Sequence, residues 1–292
     1  MGSRGRTWRF LANFGAAKVA IYLAPLGIAA MAPPAVYGAF EAGLAISLII
    51  ATVLIAAPLH AITHQVTLHR DRYVLDQAAV LVACCSLVGC VGALLAARFG
   101  PSDTILLALA ILGVTGLQIT ASFLVRALGH REILAWIDGG GVLCGLAVAA
   151  GLAAVFGQPS AETLQSGLFI LSLLILLCGA TALLIFRRPG LGGRLIAAAK
   201  WGFPMLALAL LGTWAAVFGR VLVEIAAPED LPAFALAFRI VGLAVGVPQL
   251  LLTSMWPQLY RAKTAMRTAG SPSSFLPQRP LPEVSARSVR AF

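Results

Sequence analysis

Apolar residues run down this chain in long unbroken stretches separated by short polar or turn-forming segments, with little of the alternation that marks half-buried strands. A helix needs about 20 apolar residues to cross a hydrocarbon core of roughly 30 Å, and every backbone polar group in that core must be satisfied within the helix. Eight stretches meet this requirement: Phe10–Met31, Tyr37–Ile62, Tyr73–Ala97, Thr104–Arg126, Leu134–Phe156, Leu164–Phe186, Leu195–Val223 and Pro232–Trp256. Continuous rather than period-two hydrophobicity excludes a transmembrane β-barrel. The separators APPAVYG, RFGPSD, GQPS, RRPGLGG and PEDLP carry turn chemistry. From Arg267 to Phe292 the pattern changes to Ser, Pro and Arg without helical periodicity, the composition of a disordered tail.

The pattern therefore predicts an all-α polytopic membrane protein with eight transmembrane helices. Composition agrees: 60% of the 292 residues are apolar and 11% charged, too little polar surface for a water-soluble domain of this size. Arg4, Arg6 and Arg9 ahead of the first run, with Ala-Met-Ala at 30–32, resemble a secretory signal. Lys18 interrupts that run and seven more follow, so an uncleaved helix is expected.

The net charge of +10 invites a nucleic-acid reading until its distribution is considered. Arg70 and Arg72, Arg126 and Arg131, Arg187, Arg188 and Arg194, and Arg261 and Lys263 follow the even-numbered spans. The opposite loops contain Arg98 and otherwise acids: Asp103, Glu162, Glu229 and Asp230. Basic loops stay on the cytoplasmic side, which places both termini there and makes anionic lipid headgroups, not nucleic acid, the partner of the surplus.

Catalytic and metal motifs are missing. The cysteines Cys84, Cys85, Cys90, Cys144 and Cys178 lie inside spans without paired spacing and read as small buried residues. His60, His64 and His69 lack a thiol or carboxylate to complete a metal site and read as a solvated helix end. Gly139–Gly141 and Gly145 suit close helix packing. No catalytic residue, metal or cofactor is assigned, and the chain is not expected to be an enzyme.

Charges inside the spans are more informative, because each is expensive in a bilayer. Asp76 and Asp138, near the cytoplasmic starts of their spans, can remain hydrated, and Arg220 with Glu224 has the i, i+4 spacing of a local pair. Lys18, Glu41 and Arg239 have no such local explanation. For Lys18 and Arg239 there are two readings: snorkelling to an interface, or facing a polar cavity where two cations favour an anion.

An internal comparison bears on Arg239. Aligning YGAFEAGLAI (37–46) with LPAFALAFRI (231–240) matches Ala39, Phe40 and Ile46 with Ala233, Phe234 and Ile240. Glu41 and Arg239 then lie one helical turn apart on the same face of corresponding helices. The register makes the last two spans the counterpart of the first two, hence a six-helix repeat with parallel halves.

FGAAKVAIYLAPLGIAAMAPPAVYGAFEAGLAI (14–46), AAAKWGFPMLALALLGTWAAVFGRVLVE (197–224) and FALAFRIVGLAVGVPQLLLTSMWPQLYRA (234–262) together resemble the Wzx-type oligosaccharide flippases, the polysaccharide-biosynthesis branch of the MOP superfamily. The similarity is spread through the chain rather than concentrated in a signature. It implies a six-helix lobe over 1–190, the first helix pair of a second lobe over 191–260, and a tail over 261–292. It further implies a bacterial inner-membrane transporter that moves polyprenyl-diphosphate-linked oligosaccharide for surface polysaccharide synthesis, alongside other polysaccharide-assembly membrane proteins. By the same resemblance Lys18, Arg220 and Arg239 contact the diphosphate, and Glu41 is a counter-ion or coupling-cation site. Family members carry more than eight spans in two matched lobes, so the expectation is a C-terminally truncated member, with activity and inactivity both left open. Two other classes stay open: an envelope-synthesis enzyme embedded in the membrane, and a helper subunit that lends helices to a larger complex.

Overall fold

The computed structural model describes residues 12, 25–27, 29–30, 32–69, 74–100, 102–128, 160–186 and 190–242. By its internal contacts the chain divides into two units, Met1–Val247 and Pro248–Phe292, and every residue described belongs to the first. The described residues are almost entirely helical and contain no strand. Helix α1 spans Pro34–His69, α2 Val74–Ala97, α3 Asp103–Leu128, α4 Ala161–Phe186 and α5 Leu191–Ala226. A single 3-10 turn, Pro228–Asp230, leads into α6 over 231–242.

Five of these helices are long and apolar enough to cross a membrane: Pro34–Ile62, Val74–Ala97, Asp103–Leu124, Ala161–Leu184 and Leu191–Ala226. Their bounds follow the sequence reading closely. The main difference is α1, which begins three residues earlier than Tyr37 and continues through His69. Pro34 takes the first helical position, where a missing N–H breaks no helical bond. The Pro33 carbonyl accepts from the amides of Val36 (3.0 Å) and Tyr37 (3.1 Å), so APPAVYG is a helix start rather than a free turn. The span at 134–156, most of those at 10–31 and 232–256, and the tail lie outside the described residues.

Turn residues sit where the punctuation predicted. Gly100 at φ 60° lies within the α2–α3 connection and Gly190 at φ 82° precedes α5, both left-handed conformations that glycine adopts without a Cβ penalty. Ser160 caps α4, its Oγ accepting from the Thr163 amide at 3.2 Å.

Between apolar helices in lipid, association depends on close backbone approach and interhelical hydrogen bonds rather than on escape from water. Both devices are present. Cβ atoms added at Gly89, Gly113 or Gly116 would press on Leu109 and Leu112, Ser86 and Ser172, or Cys85, so α2, α3 and α4 meet almost backbone to backbone. Ser47 of α1 and Thr115 of α3 share a hydrogen bond of 2.9 Å, and Ser172 of α4 donates to the Ala110 carbonyl of α3. Two apolar clusters fill the spaces. One joins Tyr37, Phe40, Leu107, Ile111, Leu164 and Ala235. The other joins Ile55, Leu59, Leu81, Cys85 and Leu112.

The most extensive helix pairing is α1 along α5. Thr52 and Thr213 bridge it at 3.1 Å. Nearer the other end, a Cβ on Gly202 would collide with the Ala57 carbonyl. Pro58 of α1 and Pro204 of α5 lie beside this crossing, each removing one intrahelical bond. The opposite face of α5 exposes Trp201, Phe203, Leu208 and Leu211, an apolar surface matched to hydrocarbon.

Candidate functional site

Close to the start of α1, Tyr37 and Glu41 lie one turn apart on the same face. The face turns inward because its neighbours are small. Gly38 lets the Leu231–Pro232 start of α6 approach to about van der Waals contact, with Pro232 Cγ 3.4 Å from an added Cβ. Gly43 lets α3 approach as closely, 3.0 Å from the Ala108 amide. Ala42 and Ala45 are fully buried, and so is Glu41, at 0% exposure.

A buried carboxylate needs partners for both oxygens, and Glu41 has five contacts. Oε1 accepts from Arg239 Nη2 (2.9 Å) and Nε (3.0 Å) and from the Tyr37 hydroxyl (3.2 Å). Oε2 accepts from Arg239 Nη2 (3.0 Å) and from Arg220 Nη1 (3.0 Å). Arg239 comes from α6 and Arg220 from α5, so three helices contribute one charged group each. The guanidinium fork suits this geometry, since its N–H groups point in parallel at the two oxygens of one anion.

Arg220 and Arg239 are themselves buried, at 8% and 6% exposure. The Arg220 guanidinium carbon stands 5.0 Å from the centroid of the Phe238 ring, within cation–π range. Its Nε is buried and has no acceptor among the described residues. Gly219, next to Arg220, gives way to the Phe234 ring, which seats α6 against α5. At a rise of about 1.5 Å per residue, all three charges lie on the order of 10 Å from the ends of their helices. Among the described residues, two guanidinium groups face this one carboxylate.

Thr104, at the start of α3, donates to Glu224 Oε1 at 2.7 Å. This corrects the local pairing expected from the i, i+4 spacing. Arg220 reaches across to Glu41, and Glu224 is taken by Thr104. Asp76 also departs from expectation: it is buried at 7% exposure rather than hydrated. His60 packs edge-on against Phe123, ring centroids 5.2 Å apart, instead of ending a solvated helix. Lys18, Asp138, Cys144 and the side chains of His64 and His69 lie outside the described residues.

The structure thus brings together three of the residues singled out in the sequence: Glu41, Arg220 and Arg239. It adds two that sequence reasoning missed. Tyr37 is legible as the residue four before Glu41, the spacing that stacks side chains on a helix. Phe238 carries no such signal, since an aromatic next to an arginine in an apolar span is ordinary.

No protein-family model matches the chain, and no curated protein or solved structure does either. Among the described residues no group of three His, Cys, Asp or Glu side chains is placed to hold a metal. What the cluster offers is hydrogen-bond donors and positive charge directed at one buried anion.

Proposed function

We propose that this chain is a multi-pass transporter-type protein of a bacterial inner membrane, of the kind that moves polyprenyl-diphosphate-linked oligosaccharides. In this reading it has eight spans, a six-helix lobe followed by the first pair of a second parallel lobe, with both termini cytoplasmic. Arg220 and Arg239, with Lys18, contact the diphosphate, and Glu41 serves as their counter-ion. The membrane lipids and other polysaccharide-assembly proteins are its surroundings.

The observation that carries this reading is the convergence of two buried arginines on one carboxylate at the junction of α1, α5 and α6. Burying an ion pair is roughly neutral at best against apolar packing, and a second cation makes the arrangement worse unless an anion is to be met there. A purely structural latch is served by one arginine. An enzyme acting at the membrane face would be expected to carry a larger extramembrane loop, whereas 98–102 and 227–230 are short connections.

The test is complementation of a bacterial strain that lacks its own oligosaccharide flippase, scored by surface polysaccharide. The wild-type chain is expected to restore it and Arg239→Ala to fail at equal membrane abundance. Full restoration by Arg239→Ala would sink the substrate-contact assignment.

A further inference from the structure

We infer that Phe238 is the positioning residue of Arg220: its ring fixes the plane of the guanidinium, so that one stretch of α6 supplies Arg239 and also sets the arginine of α5. What Arg220 then does rests on the transporter reading; the hold on its side chain stands on geometry alone.

The two arginines of the cluster are held differently. Arg239 meets both oxygens of Glu41 through three hydrogen bonds, and such a paired contact fixes a fork in direction as well as place. Arg220 makes one, from Nη1 to Oε2 at 3.0 Å, and its buried Nε has no acceptor among the described residues. A single hydrogen bond anchors one nitrogen and leaves the plane behind it to turn. The Phe238 ring, whose centroid is 5.0 Å from the guanidinium carbon, supplies the second constraint. A planar cation is drawn to a ring face, more strongly where water is excluded, and Arg220 is buried. A lysine ammonium has no plane to lay on that ring, which makes arginine the residue required at 220.

The ring is itself held. Phe234, one turn earlier on α6, stacks against it with centroids 6.2 Å apart and planes inclined by 29°. Phe234 in turn fills the space that Gly219 leaves, where an added Cβ would lie 2.9 Å from its Cζ. Gly219 immediately precedes Arg220, so the turn of α5 that carries the charge also admits the aromatic pair that orients it. The corresponding stretch of α1 lacks the device. In the register that matches Phe40 with Phe234, Leu44 and Ala45 stand where α6 has Phe238 and Arg239. Ring and arginine are present together in one helix and absent together from the other.

The test keeps the shape of residue 238 and weakens its π face. Phenylalanine bearing one, two or three ring fluorines is placed at 238 by suppression of a stop codon, in the full chain with Arg220 and with Arg220→Met, or with Arg220→Gln should the methionine variant not fold. With Arg220, the melting temperature of the protein in lipid nanodiscs is expected to fall with each fluorine; without the guanidinium it is expected to stay level. A level series with Arg220, or the same slope in both backgrounds, overturns the proposal.

The second readout is surface polysaccharide in the strain lacking its own flippase, at equal membrane abundance. Restoration is expected to fall in the same steps, several-fold from the unmodified ring to three fluorines. Phe238→Tyr, which keeps the ring face, is expected to restore as wild type, and Phe238→Leu, which keeps only apolar bulk, to restore several-fold less. Full restoration by Phe238→Leu overturns the positioning role even where the melting series slopes. Failure of the wild-type chain to restore polysaccharide removes the transport reading instead, and the difference between the two melting series then decides the hold on Arg220 by itself.

Discussion

Arg239 grips Glu41 through Nε and Nη2 at 2.9–3.0 Å although 198 residues separate them, and the carboxylate is completely enclosed. Because Arg220 shares that carboxylate, the two ends of the bond are not equivalent. Arg239→Ala leaves one arginine with one glutamate, whereas Glu41→Ala leaves two buried guanidinium groups facing each other. Stranding a buried charge costs about 3–5 kcal/mol. Glu41→Ala is therefore expected to lower thermal stability in detergent more than Arg239→Ala does, and Glu41→Ala with Arg239→Ala together to recover part of the loss. Equal losses from the two single variants would contradict the shared-carboxylate arrangement.

Gly202 and Gly212 lie on the same helix in opposite circumstances. A Cβ at Gly202 runs into the Ala57 carbonyl, while one at Gly212 meets nothing within 4 Å. Alanine is favoured over glycine inside a helix by roughly 0.5–1 kcal/mol. Gly212→Ala is expected to raise the melting temperature slightly. Gly202→Ala should lower it, since overpacking costs about 1–3 kcal/mol. Differential scanning fluorimetry of the two variants side by side checks the sign of each.

Thr104 is the partner that Glu224 has in place of Arg220. A hydrogen bond to a charged group contributes about 1.5–3 kcal/mol when buried. Glu224 is only half-buried, so Thr104→Val is expected to lose less than that, about 1 kcal/mol. Thr104→Ser keeps the hydroxyl and should behave as wild type. A loss as large for the serine variant would show that the methyl group, not the bond, matters.

Charge bias across the loops makes an orientation forecast. Ser102, just before α3, and Gly192, in the first turn of α5, are both exposed and lie at opposite ends of the bundle. In intact cells of a cysteine-free chain, a membrane-impermeant maleimide should label Ser102→Cys and spare Gly192→Cys until the membrane is opened. The reverse pattern would place the basic loops outside and invert the topology.

Much of the architecture was legible one residue at a time. The helix over Val74–Ala97 departs from its sequence estimate by one residue, and α4 ends at the same Phe186, because the edge of an apolar run is a local property. The end of α1 was not legible in this way. Hydropathy falls after Ile62, but the backbone remains helical to His69, since a helix can leave the hydrocarbon without unwinding. The alignment of 37–46 with 231–240 put Glu41 and Arg239 on matching faces without showing that they touch.

Among the described residues, then, the sequence by itself determined which segments are helices and which charges are out of place, because the length of an apolar run and the identity of turn residues are sufficient for that. Only the tertiary structure decided which charge answers which. The i, i+4 rule offered Glu224 to Arg220 as the nearest neighbour along one helix. Packing of α1 between α3, α5 and α6, allowed by Gly38, Gly43 and a row of alanines, brought a carboxylate from another helix closer still. A buried charge goes to the partner that spares it most from desolvation, and that depends on how helices pack across space rather than on their order in the chain.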